Sequence, residues 1–185
     1  MREELKNMNW HLYGLRIEDL DYTLRLVRDI IAGRKELLEQ ERVRLKREKP
    51  EDVTGEIISD LAHYNWVENQ YLWHFCLWRM QAVYEHLVVQ EILIKDNPRI
   101  NSFYGGLRKL MTRVTEGGYQ IPDDDLEDLY QWAELRNALS HQPPEMYRPG
   151  GLCEDDILEY VELLKRILTM LFAQQKTKKK AVNCE

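Results

Sequence analysis

Cysteine is scarce in this chain and long apolar runs are missing. Three cysteines in 185 residues, Cys76, Cys153 and Cys184, are an odd number at wide spacings without a CxxC pair. They give neither a disulfide framework nor a zinc site, and they fit a reducing compartment. No apolar stretch approaches the ~20 residues that span a bilayer, and the opening Met-Arg-Glu-Glu-Leu-Lys lacks the apolar centre of a signal peptide. A cytoplasmic protein without a membrane partner is therefore expected. Strand-like alternation and βαβ patterning are absent, as are the P-loop, the dinucleotide fingerprint, HExxH and GxSxG.

What is present is helical. With 44% hydrophobic and 31% charged residues, the chain is long enough for one good core. Its net charge of −6 argues against broad non-specific binding to nucleic acid, so any such site must be locally basic. Residues 15–48 read as one helix: Leu24, Ile31, Leu38 and Leu45 recur every seven, with Leu20 and Val27 between them. Arg34 and Glu41 interrupt that seam, and the charged run after Arg42 predicts a solvated arm that ends at Pro50. The organisation expected is a helical arm over 1–52, a helical bundle over 53–174 and a basic, disordered tail over 175–185.

A second helix is predicted from about Thr54 to Lys95. Tyr64, Tyr71, Phe75, Trp78, Ala82, Val89 and Ile92 are spaced by three, four or seven and predict a core-facing stripe rather than a platform for stacking bases. Glu85 falls inside it and needs a partner if buried. Asp96-Asn97-Pro98 reads as a turn, with Asn101 or Ser102 as the next cap. Phe103, Leu107, Leu110 and Val114 then face inward, while Arg108, Lys109 and Arg113 form a basic outer face. Gly105-Gly106 has no phosphate-loop spacing, and Gly117-Gly118 closes this helix. Asp123-Asp124-Asp125 fits the acidic start of a helix better than a calcium loop. Leu126, Leu129, Trp132 or Ala133, and Leu139 anchor that helix. Ile157, Val161, Leu164, Leu168 and Leu171 anchor the last one, with Glu162–Arg166 as a surface pair. The fold expected is an all-α up-and-down bundle preceded by a long helix.

The most chemically loaded stretch is Leu135-Arg136-Asn137-Ala138-Leu139-Ser140-His141-Gln142-Pro143-Pro144-Glu145. The prolines should stop the helix near Gln142, leaving His141 at its C-terminus. Asn137 and His141 share a face, and Arg136 and Ser140 form the neighbouring row. The helix dipole favours a protonated imidazole there and Arg136 opposes it. A fixed cation, a titratable ring and an orienting amide suit proton transfer beside a phosphate.

Arg136, four intervening residues and His141, with Asn137 directly after the arginine, resemble the Arg-x4-6-His motif of the HEPN superfamily, across roughly residues 60–173. Arg79 and His86 also meet the loose spacing but lie mid-helix, whereas Arg136 and His141 close a helix that a breaker and another amphipathic helix follow. The resemblance implies a small all-α domain acting as a homodimeric, metal-independent endoribonuclease of a toxin or antiphage defence system. RNA would be its substrate, it would need no cofactor, and an antitoxin or defence-system protein could be its partner. It further implies Arg136, Asn137 and His141 as the catalytic group. Arg108, Lys109, Arg113 and Arg148 are the candidate RNA contacts, and Glu85 and Ser140 the supporting residues. One branch of the family carries a tyrosine two after the histidine. Pro143 stands there and Tyr147 is out of register, so modification of that tyrosine is not carried over. Two other readings fit the same residues: a non-catalytic HEPN-like domain that binds a ligand or partner, and a coiled-coil adaptor using residues 15–48.

Overall fold

The computed structural model describes residues 14–48, 51–97, 105–141 and 151–182. Among them all regular structure is helical: α1 Glu18–Glu48, α2 Glu51–Leu87, α3 Leu107–Glu116, α4 Asp123–His141 and α5 Glu154–Val182. α2 continues into a wider π turn over Val88–Ile94. It is the central element, packing against α1, α4 and α5, while α3 rests on the π turn and α4. None of the described helices is long and apolar enough to cross a membrane.

α1 starts where Asp19 accepts the Arg16 backbone N–H at 2.6 Å, with three acids in the first turn. It is not a separate arm. Leu20, Leu24 and Val27 share one core with α2 and α5, and Asp21 and Arg28 pair with Lys165 and Glu154 of α5. Arg44, Lys46, Arg47 and Glu48 are exposed, as the charge run suggested, yet Leu45 among them is buried. A charged run sets its own solvation but does not stop a leucine within it from finding the neighbouring helix.

The expected core stripe of α2 requires correction. Tyr64, Tyr71, Phe75 and Trp78 are 64%, 50%, 47% and 50% exposed. The buried face is instead Trp73, Cys76, Leu77, Met80, Val83, Tyr84 and Leu87. α2 carries apolar residues around much of its circumference, and the wider set meets neighbours on both flanks. Ala82 and Val89 of the stripe are half-buried and Ile92 is fully buried. The π turn adds a residue to the local repeat and so changes which positions face inward.

The C-terminal stretch also departs from expectation. α5 runs to Val182 instead of giving way to disorder at 175; residues 183–185 lie outside the described residues. Gln175 is buried and donates to the Glu91 carbonyl at 2.7 Å and to Asp96 at 2.9 Å. Lys178 donates to the Gly117 carbonyl at 2.7 Å and lies 3.6 Å from the centre of the Tyr119 ring. These contacts clamp the end of α5 onto the π turn and the α3–α4 turn. That turn is closed by Gly118 at φ +79°, a left-handed conformation suited to glycine.

α5 buries Ile157, Val161, Leu164, Leu168 and Leu171, as its spacing predicts. Of the three acids opening α4, Asp125 is buried and takes Arg166 in a forked pair, at 2.6 Å from Nη2 and 3.1 Å from Nε. The expected Glu162–Arg166 pair is replaced by this one. A bidentate partner across the bundle outcompetes an exposed neighbour one turn away, and Glu162 lies 3.8 Å from Lys165 instead.

Candidate functional site

α4 is described to His141; residues 142–150, including the expected stop at Pro143, Tyr147 and the candidate Arg148, lie outside the described residues. Ser140 Oγ donates back to the Arg136 carbonyl at 2.8 Å. Serine satisfied within its own helix is local structure, not an orienter of the imidazole. Arg136 is half-buried and its Nη1 donates to Asn137 Oδ1 at 2.8 Å. Asn137 therefore orients the guanidinium, while His141 stands exposed one turn on.

Arg136 and Asn137 form one wall of a cleft of about 460 Å³. Gln81 and Glu85 of α2 line it as well, together with Gly105, Gly106 and the first residues of α3, Leu107 to Lys109. Small-ligand sites typically occupy roughly 300–1,000 Å³, so the volume suits one nucleotide-sized group. Arg108 and Lys109 reach this cleft; Arg113, a turn further along α3, is exposed and does not line it. Arg108 is tethered, with Nη2 2.5 Å from Glu134 Oε1 and its guanidinium 4.3 Å above the Tyr130 ring. The α3 lining is thus basic at Lys109 and partly neutralised at Arg108.

Beneath the cleft lies a polar cluster. Gln81 Nε2 donates to Glu85 Oε1 at 2.7 Å, while Gln81 Oε1, Arg136 Nε and Tyr160 Oη are buried without a hydrogen-bond partner. Burial drives the Tyr160 hydroxyl far above the ordinary phenol range; Glu85 pushes the same way and Arg136 opposes it. All three groups are therefore within electrostatic reach of one another. Buried unpaired polar atoms cost about 1–3 kcal/mol each; others among the described residues lie on α1 and at Asn69, and what sets those of Gln81, Arg136 and Tyr160 apart is that they adjoin the cleft.

The structure thus brings together Arg136, Asn137, Glu85, Arg108 and Lys109. It leaves His141 and Arg113 on adjoining surface outside the cleft. Arg79 lies within α2 and His86 in its last turn, where the helix runs on into the π turn instead of stopping. Sequence reasoning missed Gln81, Tyr130, Glu134 and Tyr160. Gln81 carried a usable signal, four residues before Glu85 on one helix row, whereas Tyr160 is hidden among the core residues of α5. Among the described residues no group of three His, Cys, Asp or Glu side chains could hold a metal ion. No family model, no curated protein and no solved structure matches the chain.

Proposed function

We propose that the chain is a metal-independent endoribonuclease of HEPN type, with the cleft beside Arg136 as its phosphate-binding site. The observation that carries this reading is the Arg136–Asn137 pair on the cleft wall, with Lys109 also lining the cleft and His141 one turn beyond. In such a reaction the 2′-hydroxyl attacks the adjacent phosphorus and the bond to the 5′-oxygen breaks. The products are a 2′,3′-cyclic phosphate and a 5′-hydroxyl. One proton leaves the nucleophile and one joins the leaving oxygen.

Arg136, held by Asn137, clamps the phosphate and stabilises the charge that grows on it. His141 moves a proton, a role worth typically 10²–10⁴-fold in rate. One imidazole is poorly placed to act as both base and acid across one bond, so a two-fold dimer that supplies a second His141 completes the site and doubles its local positive charge. The check is cleavage of a short RNA by the wild-type, Arg136→Ala and His141→Ala proteins. Wild-type protein should cut, both variants should fail while staying helical, and a single deoxyribose at the cut position should block reaction. Cutting of all-DNA substrate, or an active His141→Ala, contradicts the reading.

A second reading is favoured by Glu85 in the cleft and the Glu134 tether on Arg108. Two carboxylates beside a phosphate site weaken it, which suits a non-catalytic cleft for a ligand or partner. RNA would then stay intact while Arg136→Ala still lost partner binding.

A further inference from the structure

The stripe on α2 that sequence spacing marked as core is uncovered in the folded chain, and its spacing is that of a helix–helix seam. Tyr64, Glu68, Tyr71, Phe75, Trp78, Ala82 and Glu85 advance by alternating steps of four and three, the repeat that keeps one row facing a partner helix. Its four rings are about half exposed or more. α1 adds a second row beside it. Glu68 pairs with Arg34 of α1, and counting back from that pair in antiparallel register brings Ile30, Leu26 and Tyr22 to the heights of Tyr71, Phe75 and Trp78. These three are 40%, 40% and 59% exposed. Asp21 and Arg28 turn instead toward α5, so the exposed row lies on the other side of α1.

We infer that this face of the α1–α2 hairpin is where a second copy of the chain docks, seam against seam. Area argues for it. At roughly 200 Å² per aromatic side chain, Tyr22, Tyr64, Tyr71, Phe75 and Trp78 alone present about 500 Å². Leu26, Ile30 and Leu37 bring the face toward the ~800 Å² per partner of a standard stable interface. A monomer's largest apolar patch is typically about 300–600 Å². The charges on the seam argue against the obvious rival occupant. They are Glu68 and Glu85, with Asp60 one turn before Tyr64, and rings that stack RNA bases sit in positively charged grooves. Glu68 does not block an apolar contact, since Arg34 pairs with it, and Glu85 stands at the far end of the row, where Gln81 donates to it. Aromatic anchors of this kind dominate protein interfaces.

One end of the seam is the cleft, because Glu85 and its neighbour Gln81 line it. Docking on this face therefore brings a partner copy to the rim of the candidate site. Self-association is nonetheless independent of whether RNA is cleaved.

The experiment is sedimentation equilibrium of the full chain, wild type against Phe75→Lys and Trp78→Glu, with circular dichroism as the check on folding. Tyr71→Gln is a milder third variant. The wild type should be dimeric at tens of micromolar, within the range such interfaces span. Each charged variant should weaken association on the order of 30-fold or more at unchanged helicity, and Tyr71→Gln should weaken it less. A monomeric wild type overturns the inference, as does a dimer indifferent to all three changes. A monomer whose rings bind single-stranded RNA, with binding lost in Trp78→Glu, overturns it in favour of the nucleic-acid alternative.

Discussion

Phe75 and Cys76 are neighbours in sequence on one helix, yet Phe75 is 47% exposed and Cys76 is fully buried. α2 carries two apolar faces. One, through Cys76, Leu77, Met80 and Tyr84, is closed by the rest of the chain, and the other, through Tyr71, Phe75 and Trp78, is open. The difference teaches that apolar spacing defines a row without saying what covers it. Burial follows from the tertiary partners, and here they lie on the less conspicuous row. Burial also pushes the Cys76 thiol up to about 12, so the closed face is chemically silent.

The comparison can be broken most strongly by cutting the same kind of side chain on each face. Leu77→Ala should destabilise the fold by about 2–5 kcal/mol, whereas Phe75→Ala should change the stability of the monomer by no more than roughly 0.5 kcal/mol. Urea unfolding of both at low protein concentration reads this directly; equal losses would mean the two faces are equally closed. A smaller effect is expected at Gln175, which ties α5 to the π turn where α2 changes its inward row. Gln175→Ala should cost about 1 kcal/mol and speed hydrogen exchange through residues 88–94, which separates an anchored helix end from a loose tail.

The smallest effect concerns pH. His74 is half-buried on α2, and burial lowers its pKa. The unfolded chain then takes up the proton more readily than the folded one, so stability is retained above the unfolded value of about 6.5 and declines as pH falls through the lower folded value. His74→Gln should flatten the acid side of a stability–pH curve, and an unchanged curve would show that this site is solvated.

Much of the architecture was legible in the sequence because the cues were local. Gly118 supplies a left-handed turn, and α5 shows one unambiguous row. What was not legible depended on distant partners. Spacing offered Arg166 the acid one turn away, Glu162, and gave no sign of Asp125, 41 residues off. Lys178 looked like part of a solvated tail because its anchors, Gly117 and Tyr119, are brought there by folding. The same division runs through the candidate site. Arg136 and Asn137 were visible as a motif and Glu85 as an acid in need of a partner, while Gln81 and Tyr160 join them through packing.

The functional claim is that Arg136 and His141 cut RNA at its own 2′-hydroxyl without a metal. The most direct measurement is to digest total RNA and tRNA in EDTA with wild-type and His141→Ala protein and to map the new ends. The account predicts 2′,3′-cyclic phosphate and 5′-hydroxyl termini from the wild type and none from the variant. New ends bearing 5′-phosphate, or no new ends at all, would contradict it.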